Sequence, residues 1–252
     1  MATLDQLYSN RTLNWGHRGA SGHAPENTLS AFLLAADMGA NGIELDVHLS
    51  ADGEAVVIHN DTVDATTNGS GRVSSLTLEE LRSLDAGSWF SPGFAGERLP
   101  TLQEVFDAVG HRLFINIEIK VERGHHPLDQ EAEVVRLIED NQMVDRVIIS
   151  SFAPSSLRRT RKMNPNIPLG LLYSDKETTW LPTLLRWLGV PFDALHPRFG
   201  MVDARYVKRA RQGGKRVNVW TVNTADDMRR MRDLGVDGII TNYPDVLDAV
   251  LK

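Results

Sequence analysis

The chain has 252 residues, 42% hydrophobic and 24% charged, with 20 Gly, 11 Pro and no Cys. These are the proportions of a folded globular chain long enough to bury a large core, which excludes disorder and fibrous repeats. Without Cys there are no disulfides, thiolate metal sites or cysteine nucleophile, and the formal charge of -6 disfavours a nucleic-acid partner.

No stretch approaches the ~20 apolar residues of a membrane helix; Ala31-Phe32-Leu33-Leu34-Ala35-Ala36 is among the longest runs. Residues 1–14 show no basic segment leading into a long apolar one, so neither a signal peptide nor a stable membrane anchor is expected. The expected address is the cytoplasm.

In chain order, short β-branched runs alternate with helical patterns. Strands are predicted over 13–17, 42–49, 55–59, 113–120, 146–152, 168–173, 193–196, 216–222 and 237–241. Helices are predicted over 27–38, 101–109, 129–141, 154–163, 178–188, 203–212, 224–234 and 244–251. The second and third strands are joined only by Ser50-Ala51-Asp52-Gly53-Glu54, too short for a crossover helix, and Asp-Gly favours a hairpin. Eight parallel strands then remain, each followed by a helix. That pattern predicts an α/β fold, a single TIM (β/α)8 barrel with a β-hairpin after strand 2. Residues 60–99 stand outside the repeat. They are Gly- and Ser-rich, carry Trp89, Phe90 and Phe94, and read as a small cap insertion over one end of the barrel. No linker divides the chain, so 1–252 is read as one domain.

Chemistry in such a barrel belongs at the C-terminal ends of its strands. The first strand closes on His17-Arg18-Gly19. The second carries Glu44 and Asp46 two apart, hence on one face. The fourth ends Asn116-Ile117-Glu118-Ile119-Lys120, its polar residues facing one way and its isoleucines the other. A hairpin turning at Asp52-Gly53 sets His59 opposite Leu45, beside both Glu44 and Asp46. Three converging carboxylates repel one another unless one is protonated or a cation sits among them. Hard oxygens favour Mg²⁺, Mn²⁺ or Ca²⁺ over zinc, while Arg18 and Lys120 suit an anionic substrate and two histidines suit proton transfer. The set is suited to metal-assisted attack at phosphorus.

These residues, in this order, resemble the glycerophosphodiester phosphodiesterase family of TIM barrels. The likeness runs through His17-Arg18-Gly19, Pro25-Glu26-Asn27-Thr28, Glu44-Leu45-Asp46, Val57-Ile58-His59 and Glu118-Ile119-Lys120. It continues in Asp85-Ala86-Gly87-Ser88-Trp89-Phe90, Trp220-Thr221-Val222-Asn223 and Thr241-Asn242-Tyr243-Pro244-Asp245. The resemblance implies hydrolysis of small-molecule glycerophosphodiesters to glycerol 3-phosphate and an alcohol, with attack by the glycerol 2-hydroxyl giving a cyclic phosphate that water opens. It implies one divalent cation, Mg²⁺ or Ca²⁺ ahead of Mn²⁺, on Glu44, Asp46 and Glu118. His17 and His59 would be the acid–base pair, with Arg18 and Lys120 on the phosphate and Trp220 a further candidate substrate contact. The insertion would cover the site, with Trp89 and Phe90 limiting the leaving group. Two positions depart from the family pattern: Asn60 replaces the usual Asp and Ala65 the common Arg, which makes Asp61 a candidate to orient His59.

Two alternatives remain open at this level: a lysophospholipase-D-like or phosphoinositide-specific activity, and a barrel that binds without cleaving. Trp180, Leu181, Leu184, Leu185, Trp187 and Leu188 would be the apolar face for an acyl chain. His23 in the first loop and His48, which continues the face of Asp46, could assist; the pair His125-His126 reads as a loop without ligand spacing, and the arginine runs at 158–162 and 229–232 as solvated helix faces. Neither a P-loop nor a Gly-x-Ser-x-Gly elbow is present. Oligomeric state is not legible.

Overall fold

A computed structural model of the chain describes Tyr8 and residues 11–121, 130–175 and 189–252. The predicted helix 178–188, with its apolar face, and His125-His126 lie outside the described residues. The strands are β1 (Leu13–His17), β2 (Gly42–Leu49), β3 (Ala55–Val57), β4 (Phe114–Ile119), β5 (Val147–Ser151), β6 (Leu169–Tyr173), β7 (Ala194–Pro197), β8 (Arg216–Val219) and β9 (Gly238–Thr241). The helices among the described residues are α1 (Leu29–Asp37), α2 (Leu78–Arg82), α3 (Leu102–Val109), α4 (Gln130–Asp140), α5 (Pro154–Met163), α6 (Ala204–Gln212), α7 (Ala225–Leu234) and α8 (Pro244–Leu251). None is long and apolar enough to cross a membrane.

The sheet runs β1-β9-β8-β7-β6-β5-β4-β2-β3, and a β1–β2 pairing closes eight parallel strands into a ring. This is the predicted TIM barrel. β3 lies outside the ring, antiparallel to β2, as the short Asp-Gly connection requires. β1 pairs with β2 only from Gly42 to Glu44 because β1 ends at His17, and β3 takes up β2 again from Val47 to Leu49. Thus the hairpin extends the sheet beyond the point where β1 stops.

Alternation along the strands separates two cores. Ile43, Leu45, Val47, Ile115, Ile117 and Ile149 point outward into the layer packed under the helices. Leu13, Trp15, Phe114, Ile148, Ala194 and Ile240 point inward with Tyr8 and fill the barrel interior. Trp15 needs space that only Gly leaves. A Cβ on Gly42 would sit 2.5 Å from the indole and 2.6 Å from the Phe114 carbonyl.

Helix starts match their sequence signals. Thr77 and Thr101 form capping boxes with Glu80 and Glu104, and Asp203 and Thr224 accept the N–H three residues on. α2 lies within 60–99, whose Val63, Val73, Leu81 and Ala86 pack with Val56 and Ile58. This segment rests against the hairpin and its neighbours: Ala51 N–H donates to the Leu76 carbonyl, and Leu78 N–H to Asp52 Oδ1.

His196 on β7 is fully buried, with Nε2 2.9 Å from Asn218 Nδ2. The amide donates there, so Nε2 must stay unprotonated, and burial pushes the imidazole down to about 3. The native state therefore binds fewer protons than the unfolded chain between this value and about 6.5. Stability is complete above that range and falls with pH inside it, the His196 share being at most about 1.4 kcal/mol per pH unit. Thermal melts from pH 7 to pH 4 should show a shallower decline for His196→Gln than for the wild type. Gly42→Ala should cost about 1–3 kcal/mol through the collision with Phe114. Gly200→Ala meets nothing within 4 Å and should stay within about 0.5 kcal/mol of wild type by denaturant melts.

Candidate active site

Parallel register brings the predicted residues to one mouth. His17 pairs in level with Glu44, Glu44 with Asn116, and Asp46 with Glu118. All are inward positions near the C-terminal ends of β1, β2 and β4. Glu44, Asp46 and Glu118 are buried, and each offers an oxygen within 4.8 Å of the others.

Two cations meet them. Lys120 Nζ lies 2.6 Å from Glu118 Oε1 and 2.9 Å from Asp46 Oδ1. Arg18 Nε is 3.3 Å from Asp46 Oδ2, while its terminal nitrogen bonds Glu26 at 2.8 Å. Arg18 adopts a left-handed φ of 53°, followed by Gly19 at 84°. That turn aims the Arg18 backbone N–H at Glu44 Oε2, 3.2 Å away. Asn27, also left-handed, donates from Nδ2 to Asp46 Oδ2 at 2.9 Å.

The balance is uneven: three carboxylates face two cations. Burial pushes the Glu44 carboxyl well up, and repulsion from Asp46 and Glu118 adds to it. Glu118 is raised mainly by burial, with Lys120 opposing. Asp46 is the exception. Burial alone would raise it, but Lys120 and Arg18 hold it well below the usual carboxylate range. Among the described residues, the nearby buried Asn116 Oδ1 has no hydrogen-bond donor. A three-oxygen cluster short of positive charge fits a hard divalent cation, whose ligands stand about 2.0–2.6 Å from it.

Both predicted histidines reach the mouth. His17 Nε2 is 4.0 Å from Glu44 Oε2, and Nδ1 is 2.7 Å from Asn242 Oδ1, in the loop after β9. Burial, then Arg18, pushes this imidazole down to about 3. His59 arrives from the hairpin, with Nδ1 2.8 Å from Asn60 Oδ1. Asp61, expected to orient it, pairs instead with Arg72 at 3.1 Å. The Asn60 amide, directly adjacent in the chain, already occupies the imidazole nitrogen.

A cavity of about 270 Å³ opens among these groups. Its polar wall comes from β1, β2 and β4, with His59. Its apolar wall comes from Phe152, Leu172, Trp220 and Ile240. Phe152 meets Trp220 edge-on, with ring centroids 5.7 Å apart, and Trp220 Nε1 donates to the His196 carbonyl at 2.7 Å. No lining residue comes from 60–99. Trp89 and Phe90 meet edge-on, with ring centroids 5.7 Å apart. Phe152 and Trp220 supply the aromatic surface of this wall. Sequence reading also gave no role to Glu26, Asn27 or Asn242. The only signal for the first two was their place in Pro25-Glu26-Asn27-Thr28, directly after the His17-Arg18-Gly19 turn. Of the other histidines, His23 pairs with Asp245 at 3.0 Å.

Residues 17–246 match the model of the glycerophosphoryl diester phosphodiesterase family. The glycerophosphodiester phosphodiesterase of Caldanaerobacter subterraneus subsp. tengcongensis is 45% identical over 94% of this chain and 96% of its own. That of Bacillus subtilis is 33% identical over 98% and 88%. An Oleispira antarctica phosphodiesterase, solved with the product sn-glycerol-3-phosphate, superposes with a TM-score of 0.88 at 30% identity, covering 97% of this chain and 98% of that one. A barrel with this mouth, matched by sequence over nearly its whole length, is a phosphoric diester hydrolase: the chain belongs to the glycerophosphoryl diester phosphodiesterase family.

Proposed function

We propose that the chain hydrolyses small glycerophosphodiesters to glycerol 3-phosphate and an alcohol. One observation carries this reading: two imidazoles, two carboxylates and two cations line one small cavity, and the buried Asp46 completes the acidic cluster with Glu44 and Glu118. The Oleispira neighbour, with its bound product, supports the same substrate class.

Glu44, Asp46 and Glu118 would hold one divalent cation, Mg²⁺ or Ca²⁺ ahead of Mn²⁺, which when bound would neutralise the phosphodiester oxygens. The chain's own groups do the rest. Arg18 and Lys120, preorganised by ion pairs, stabilise charge growing on the phosphoryl oxygens. The glycerol 2-hydroxyl attacks phosphorus, one imidazole accepts its proton, and the other protonates the departing alcohol oxygen. A five-membered cyclic phosphate results. The imidazoles then exchange roles: the one left neutral deprotonates water, and the one left charged returns its proton as the ring opens to glycerol 3-phosphate. His17 is suited to start as the base, because its buried ring stays neutral at ordinary pH. Phe152 and Trp220 exclude water on the far wall and give the substrate's carbon atoms an apolar surface.

Release of glycerol 3-phosphate from glycerophosphocholine, glycerophosphoethanolamine and glycerophosphoglycerol should cease in EDTA and return with Mg²⁺, Ca²⁺ or Mn²⁺. Activity that ignores EDTA would overturn the cation's role, and absence of glycerol 3-phosphate under every cation would overturn the reaction. Calorimetric titration with Ca²⁺ or Mg²⁺ should show one site that Glu44→Gln and Glu118→Gln weaken. His17→Ala should lower kcat on the order of 10²-fold or more while keeping cation binding. Near-normal turnover would remove His17 from the mechanism.

A further inference from the structure

The direction of His59 does not follow from its strand. His48 pairs with Val56 and Val47 with Val57, and Ile58 N–H donates to the Asp46 carbonyl at 3.0 Å. Continuing this register sets His59 opposite Leu45. Alternation would then give it the face of Val57, Val47 and Leu45, which belongs to the outer core beneath the helices. Instead β3 ends at Val57, the chain bends at His59 and Asn60, and the imidazole lines the mouth.

Two contacts hold that bend. His48, buried on the inward face two residues beyond Asp46, places Nε2 3.2 Å from the His59 carbonyl oxygen. Asn60 Oδ1 lies 2.8 Å from His59 Nδ1. Both oxygens only accept, which fixes the protons: His48 carries one on Nε2 and His59 one on Nδ1. Nε2 is then the nitrogen that exchanges protons: it keeps the lone pair in the neutral His59 ring and carries the transferable proton in the imidazolium that begins as the acid. A backbone anchor and a side-chain anchor thus grip the same residue from β2 and from the following position.

We propose that His48 and Asn60 are positioning residues that turn His59 off its strand's face and fix its imidazole as the Nδ1–H tautomer, so that Nε2 is the nitrogen offered to substrate. The proposal rests on the reading of His59 as an acid–base group. It adds no charge, because the acceptor on the ring is an amide.

The test pairs tautomer spectra with kinetics on the full-length chain. Long-range ¹H–¹⁵N correlation spectra of histidine-labelled protein, with His59 assigned by its loss in His59→Gln, should show the Nδ1–H form in the wild type. Asn60→Leu removes the acceptor at similar volume. It should lose the single tautomer and lower kcat on glycerophosphocholine about tenfold or more, a part of what a positioned acid–base group contributes, with KM little changed. Asn60→Asp restores an acceptor and should recover the tautomer. His48→Leu should lower kcat in the same way, and His48→Gln, which keeps a donor, should restore it. If His48→Leu does not fold, the Asn60 pair still decides. An Nε2–H ring in the wild type, or Asn60→Leu with an unchanged tautomer and kcat, would overturn the proposal. A wild-type chain inactive on every glycerophosphodiester would sink the reading of the reaction, and the spectra would still judge the tautomer.

Discussion

Three carboxylates buried with oxygens within 4.8 Å of one another must be met by positive charge, and the mouth of this barrel is arranged around that requirement. Lys120 reaches back from the end of β4 to touch two of them. Arg18 reaches Asp46 only because the chain turns left-handed directly after β1, a conformation that costs about 1–2 kcal/mol for a residue with a Cβ. The same turn brings its backbone N–H to Glu44, so one strained residue serves two carboxylates. What these groups leave uncompensated is net negative charge, because Glu26 also takes a share of Arg18. A dication held there would offset that charge and draw a phosphodiester anion. Charge balance thus ties the cation to the substrate before any step of chemistry begins.

The hairpin matters for the same reason. β1 stops level with Glu44, and β3 takes up the edge of β2 three residues later. The two imidazoles therefore arrive from either side of one gap in β2's pairing, beside the carboxylates that β2 carries. Neither histidine is held by a carboxylate of its own at Nδ1; Asn242 and Asn60 fill those places. Amide acceptors orient the rings without adding negative charge to a site already over-supplied with it.

Much of this was legible because the strand period is two. Glu44 and Asp46, or Asn116 and Glu118 between isoleucines, declare an inward polar face on a buried strand, and burial of the whole of β2 and β4 agrees. The Asp52-Gly53 turn fixed the hairpin register well enough to bring His59 to the right neighbourhood. It did not fix the ring's direction, because β3 ends two residues early and loop geometry takes over. Asn27 and Asn242 escaped for another reason. An asparagine carries no distinctive chemistry, and Asn242 meets a histidine 225 positions away through loops whose paths local pattern does not encode. The packing of the segment 60–99 was less legible than its place outside the repeat. Its own small core of Val63, Val73 and Leu81 joins Val56 and Ile58 and draws it to the hairpin.

The opposite end of the barrel shows why charge accounting, not volume, identifies the site. A cavity of about 1180 Å³ lies there, more than four times the volume of the mouth, lined by Arg11, Arg161, Arg211, Lys215 and Arg216. On size and basicity it would pass for an anion pocket. Its cations, however, face inward obligations. Arg161 pairs with Asp193 and donates to the Pro165 and Ile167 carbonyls beyond the end of α5. Arg211 donates to the Gly235 carbonyl at the end of α7, Lys215 to the Phe192 carbonyl, and Arg216 pairs with Asp237. Helices of a parallel barrel end at this face, leaving open carbonyls and the negative end of each dipole, which Arg and Lys satisfy. Four of those five basic residues are thus engaged by carbonyls and carboxylates of the segments that close this end of the barrel. At the mouth the accounting falls short of positive charge and leaves the buried Asn116 Oδ1 without a donor, and that shortfall, in less than a quarter of the space, is what a cation and a phosphodiester can fill.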